Sequence, residues 1–182
     1  ETPSGILTSN NPARFFGYGL ESDPETMFRI IGKEVPFNTG AVAVNSALFI
    51  QTVDQTPQVE VAELGGASVQ DVLVNNWKPL TDQPFSSYML KGSVSPDETV
   101  TGTVFELGEE EVRRLEHWDI VPFWRNWFFT VALADGSFAE TFSVSRSQNV
   151  GVQVNGTNYN PFLMGKEETF AAIKSAFENY QA

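Results

Sequence analysis

The stretch from Val100 to Val131, VTGTVFELGEEEVRRLEHWDIVPFWRNWFFTV, constrains the fold more than any other. It reads as a strand, a short helix, a tight connection and a second strand. Val104 and Phe105 sit in a β-branched and aromatic run bounded by Gly102 and Gly108, which is a strand signature. Glu109, Glu110 and Glu111 crowd the first turn of the helix, where negative charge suits the helix dipole. Arg113 and Arg114 follow Glu109 and Glu110 at the spacing and in the order that favour helix ion pairs. Val112, Leu115 and Trp118 recur every third residue and give the helix one apolar face. Pro122 is expected to end it. Trp127 to Leu133 is apolar and aromatic, as a largely buried strand should be. Asp119 is left at the helix end, between two strands and flanked by Trp118 and Ile120.

The rest of the chain arranges itself around this unit. Residues 1–13 read as an irregular arm broken by Pro3, Gly5 and Pro12. Arg14 to Leu20 reads as the first strand and a glycine-bearing turn. Ser22, Asp23 and Pro24 form a helix start, with the helix stopping near Gly32. Gly40 to Val53 suggests one or two strands, and Val59 to Leu64 alternates as a half-buried strand does. Ser68 to Asn75 fits a short helix or a strand, and Phe85 to Lys91 fits a strand. Asp135-Gly136 is a hairpin turn between Trp127–Leu133 and Phe138–Val144. Val150 to Val154 alternates again, before an Asn155-Gly156 turn. Asn155-Gly156-Thr157 also matches a glycosylation sequon, but Asn-Gly is first a turn signal. Lys166 to Tyr180 is the clearest helix, with Phe170, Ile173, Phe177 and Tyr180 on one face. No repeat or linker interrupts residues 1–182, which are expected to form one domain.

Charge narrows the partners. The chain carries a formal net charge of −12, which repels phosphate backbones and anionic lipid surfaces. No apolar run approaches the roughly 18 residues that suggest a membrane span. Neither nucleic acid nor membrane is therefore an expected partner; a small molecule is, and the oligomeric state stays open. The expected compartment is the cytoplasm, although a chain starting at Glu1 leaves removal of a leader open. Hydrophobic residues make up 41% of the chain and charged residues 19%, a globular balance. The 15 phenylalanines point to an aromatic-rich core.

The absence of cysteine removes disulfides, thiolate metal sites and a cysteine nucleophile. A Ser-His-Asp triad would have to use His117, the one histidine, and no serine is marked out to join it. There is no GxGxxG, P-loop, GxSxG or DxDxDG pattern, and the expectation is neither a cofactor nor a metal. Two features remain. In Phe16-Gly17-Tyr18-Gly19-Leu20, glycines alternate with bulky residues at a strand end. This permits a sharp turn, or close approach of a ligand to bare backbone N–H groups. Asp119 is a carboxylate in an apolar context near a helix C-terminus. Desolvation and the dipole both disfavour its ionised form, as a general base requires.

These two features resemble the two signatures of the gamma-glutamylcyclotransferase-like family. FGYGL is similar to its strand-and-loop pattern, aromatic-x-Tyr-Gly-Ser/Thr-Leu. The second signature runs V-x-G-x-(V/L)-(Y/F)-x-(L/I), a short helix, Leu-Asp-x-x-Glu-Gly, an aromatic, Arg, an aliphatic strand and an acidic-Gly hairpin. Val100, Gly102, Val104, Phe105 and Leu107 match its first part, and Leu115 its leucine. Glu116 takes the aspartate position, Asp119 the glutamate position, and Trp124-Arg125 the Tyr-Arg pair. The departures are Leu20 for Ser or Thr, Asp119 for Glu, Ile120 for Gly and Trp124 for Tyr.

The resemblance implies an α+β fold, a small mixed β-barrel flanked by helices. It also implies cyclisation of a gamma-glutamyl amine or amide without cofactor or metal. Asp119 would be the general base, and Gly17, Tyr18, Gly19, Leu20, Trp124 and Arg125 would bind substrate. The alternative is a non-catalytic small-ligand binding or interaction module on the same barrel, suggested by the four departures. A carbohydrate surface built on Trp118, Trp124 and Trp127 is a third reading, against which burial of those tryptophans is the simpler expectation.

Overall fold

The computed structural model describes residues 12–52, 69–119, 126–144 and 151–181. Among them, strands β1 (Ala13–Gly17), β2 (Phe37–Val44), β5 (Thr99–Leu107), β6 (Asn126–Ala132) and β7 (Phe138–Val144) close a barrel in the order β1-β5-β2-β6-β7. Four of the seams are antiparallel. The fifth, β1 to β7, is parallel, with Phe15 opposite Phe142, so the barrel is mixed. Strands β3 (Ser46–Thr52), β4 (Ser86–Gly92) and β8 (Val152–Val154) form a second sheet in the order β4-β3-β8.

Alternation along the strands sorts the core into two layers. Phe16, Ala41, Val104, Val131 and Ala139, one from each barrel strand, cluster in the interior with Leu48 and Leu90 of the second sheet. Their neighbours Phe15, Phe105 and Phe142 face the other way, under the helices. There they meet Met27, Ile30 and Ile31 of α1 (Pro24–Ile31), Val112 and Leu115 of α3 (Glu109–Trp118) and Ile173 of α4 (Lys166–Ala176). Phe15, Phe16, Phe105 and Phe142 are fully buried, so the core is aromatic-rich as composition predicts.

Helix boundaries follow their caps. Asp23 starts α1 by accepting from the Thr26 backbone N–H at 3.0 Å, with Pro24 at the first helical position. Gly32 ends it with φ +83°, where only glycine is unstrained. The helix α3 stops at Trp118, with Asp119 as its C-cap, before Pro122 is reached.

Other expectations are corrected or narrowed. Ala13 already pairs with Leu107, so β1 begins within the stretch expected to be an irregular arm, of which residues 1–11 lie outside the described residues. The first strand ends at Gly17, because Gly19–Ser22 is a 3-10 turn rather than extended chain. Val69–Trp77 is a helix, α2, which resolves the ambiguity over Ser68–Asn75. Two strands occupy the Gly40–Val53 region. The clearest helix ends at Ala176, so Tyr180 lies beyond it, though its ring still packs 5.3 Å from Phe177. The strand expected over Val59–Leu64 lies outside the described residues. No described helix is long and apolar enough to cross a membrane.

Candidate active site

The end of β1 is shaped by its glycines. Gly17 leaves no room for a side chain, because the Glu21 carbonyl folds back against the place a Cβ would occupy. Gly19 has φ +64° and lies against the Tyr88 ring, with 3.1 Å from a hypothetical Cβ to the nearest ring atom. The left-handed residue lets the chain leave the strand and enter the 3-10 turn at once. Polar groups then pin the turn. Ser22 Oγ donates to the Gly19 carbonyl at 2.7 Å, and Thr103 Oγ1 donates to the Ser22 carbonyl at 2.7 Å. Ser143 Oγ donates to the Phe16 carbonyl at 2.7 Å and fixes the strand just before it.

One face of this turn is occupied by tyrosines. The Gly19 N–H donates to Tyr159 Oη at 3.2 Å, and that hydroxyl donates to the Thr101 carbonyl at 2.7 Å. The Tyr88 and Tyr159 rings lie 5.2 Å apart, and Tyr88 Oη donates to the Asn160 carbonyl at 2.7 Å. Burial pushes both phenols above their ordinary value and keeps them protonated.

The carboxylate reaches the turn from α3. The Asp119 backbone N–H closes the last helical turn on the Leu115 carbonyl at 2.9 Å. Its Oδ2 is buried, and its charge acts on the Glu21 carboxyl. Glu21 is itself only 9% exposed. Burial, and then the neighbouring Asp119 carboxylate, push the Glu21 carboxyl well above its ordinary value.

Asp119 therefore meets the turn one residue past Leu20. The side chains of the loop are less open than their backbone. Tyr18 is buried in the barrel core, its ring 6.4 Å from Phe16, and Leu20 packs on the helix-side core. Trp124 and Arg125 lie outside the described residues. Trp118 is half-buried, its ring 6.4 Å from that of Trp77. His117 serves the fold: its ring packs on Phe177 and Tyr180, and its Nε2 donates to the Ala176 carbonyl at 2.7 Å. No group of three or more potential metal ligands occurs among the described residues. A cavity of about 150 Å³ between Arg14, Asn38, Glu106 and Ser137 contains no residue of the candidate site.

Sequence reasoning missed Glu21, Tyr88 and Tyr159. Glu21 carried a usable signal, since it stands where the loop pattern has leucine. The tyrosines carried none, because only strand pairing brings them to the turn.

A mixed five-stranded barrel with helices packed outside, and a glycine-bearing turn after β1, is the gamma-glutamylcyclotransferase-like fold. A solved structure described as a gamma-glutamyl cyclotransferase aligns with TM-score 0.54 and 14% identity, over 78% of this chain and 70% of its own. An uncharacterized human protein aligns with TM-score 0.52 and 14% identity, over 76% and 69%. A protein from Arabidopsis thaliana solved in solution aligns with TM-score 0.51 and 12% identity, over 96% and 98%. No protein-family model matches the chain, and no curated protein matches it in sequence. At these identities the likeness is one of fold.

Proposed function

We propose that this protein cyclises a small gamma-glutamyl amine or amide, with Asp119 as general base and the Gly17–Leu20 turn as the substrate's seat. Trp124 and Arg125 would complete that seat. The observation that carries the reading is that Asp119, at the end of α3, has a buried Oδ2 and acts electrostatically on Glu21, in the turn that continues from Leu20. The chemistry suits the equipment. The nucleophile is the substrate's own amine, so the protein need only orient it, accept its proton and stabilise the developing oxyanion. A positioned base is worth about 10²–10⁴ in rate. The test is Asp119→Asn against a panel of gamma-glutamyl amines, following 5-oxoproline release. Loss of turnover by about that factor with the fold intact supports the reading; unchanged turnover ends it.

One observation favours a second reading, a binding module without chemistry. The Gly19 N–H, a natural oxyanion donor, is already taken by the Tyr159 hydroxyl. Saturable binding of such compounds with no cyclisation by the wild-type protein would favour this reading over the first.

A further inference from the structure

We propose that the polar mouth of the barrel, at the other end of β1 from the Gly17–Leu20 turn, binds a small zwitterion of the free α-amino acid class. Strand alternation builds this mouth. Phe16 and Val104 point into the barrel interior. Arg14 and Glu106 stand two residues along the same strands, on the same face, where the apolar filling ends. Asn38 is the register partner of Val104 and shares that face. Ser137 enters from the hairpin between β6 and β7. These four polar side chains line a cavity of about 150 Å³ whose buried wall includes Val104 and Ala139. The barrel wall is least regular here. Among the described residues the β2–β6 seam holds one pair, Val42 with Ala132. A bulge with Gly40 at φ +70° breaks the β2–β5 register between Asn38 and Ala41. Bulges at barrel rims re-aim the side chains beside them.

The donor set selects the ligand. Arg14 and Glu106 are direct cross-strand partners, which sets their Cβ atoms about 4.5–5.5 Å apart. Yet no ion pair or hydrogen bond engages either side chain, or that of Asn38, among the described residues. A cation and an anion side by side, each with its hydrogen-bonding capacity unspent, complement a ligand that carries both signs. Arg14 and Asn38 supply N–H donors for a carboxylate. Glu106 accepts from an ammonium. Ser137 Oγ gives its proton to Asp135 Oδ1, so toward a ligand it accepts as well. A simple anion would meet Glu106 and a chain of net charge −12, and a simple cation would meet Arg14. A zwitterion incurs neither repulsion. The cavity has the room of about five waters at roughly 30 Å³ each, which suits an amino acid with a short aliphatic side chain against Val104 and Ala139. Arg14, Asn38 and Ser137 are exposed, so the dissociation constant should be on the order of 1 mM.

The test is a nitrogen-15 NMR titration of the full chain with three probes. They are L-alanine, N-acetyl-L-alanine, which lacks the ammonium, and L-alaninamide, which lacks the carboxylate. L-alanine should give saturable shifts at the backbone amides of Arg14, Asn38, Glu106 and Ser137. Either analogue should bind about tenfold more weakly or worse, because each leaves one charged group of the mouth without its partner. Arg14→Gln and Glu106→Gln should each weaken L-alanine binding by about tenfold. Should either variant lose its fold, the comparison of the three probes on the wild type still decides. Equal affinity for all three probes overturns the proposal, as does the absence of saturable shifts at the mouth up to about 100 mM L-alanine. Shifts confined to the Gly17–Glu21 turn also overturn it, and leave the cyclisation reading standing. No step of the titration depends on turnover, so its outcome is independent of the role of Asp119.

Discussion

The hydroxyl of Tyr159 joins two strand ends: it accepts from the Gly19 N–H and donates to the Thr101 carbonyl. The phenol thus ties the turn after β1 to β5 through a residue from the far end of the chain. Tyr159→Phe removes both bonds and leaves a part-buried N–H and carbonyl without that partner. The expected loss is about 1–3 kcal/mol, read as a lower urea midpoint with an unchanged slope. An unchanged midpoint would mean that water replaces the phenol at no cost.

Gly102 leaves no room for a side chain. A Cβ there would overlap the Gly17 carbonyl and come within 2.7 Å of the Phe16 ring. Gly102→Ala should therefore cost about 1–3 kcal/mol or more, because backbone must move to admit the methyl. Gly136 is the useful contrast. It has φ +87° but nothing within 4 Å, so Gly136→Ala should cost only the backbone strain of about 1 kcal/mol. Thermal denaturation of the two variants should rank Gly102→Ala below Gly136→Ala.

Glu21 also makes stability depend on pH. Its carboxyl is raised in the folded state above the ordinary glutamate value. A raised acid binds its proton more tightly when folded, so the folded form is favoured at low pH. That contribution is full below the ordinary value and is lost as pH rises through the folded value. Glu21→Gln has no such proton to lose. Its stability relative to wild type should therefore increase from about pH 5 to about pH 8, checked by urea unfolding at both ends. A difference that is flat, or reversed in sign, would count against a raised Glu21.

The legible parts of this fold were those encoded over a few residues. Glu109–Trp118 reads as a helix because its acids, i+4 arginines and apolar spacing all agree. Asp135-Gly136 reads as a turn because glycine is needed at φ +87° and Asp135 Oδ1 can accept from the Ser137 N–H at 2.9 Å. The Asn155-Gly156 turn is similar, with Asn155 Oδ1 accepting from the Thr157 N–H at 2.8 Å. The 3-10 turn at Gly19–Ser22 was less legible, since a glycine can equally end a strand or interrupt it.

By itself the sequence determined α1, α3 and α4, the Asp135-Gly136 hairpin, the glycine-bearing turn and Asp119 as the acid to watch. Dihedral preference and apolar period act within a few residues and survive in any context. The barrel was legible only through resemblance to a family, and its strand order β1-β5-β2-β6-β7 came from the tertiary structure. What the tertiary structure alone decided is which polar groups meet: Glu21 with Asp119, and Gly19 with Tyr159. Those contacts join segments far apart in the chain, and they exist because β5 pairs with β1 and carries α3 to the turn. Burial then turns proximity into chemistry, since two carboxyls removed from water cannot both stay charged.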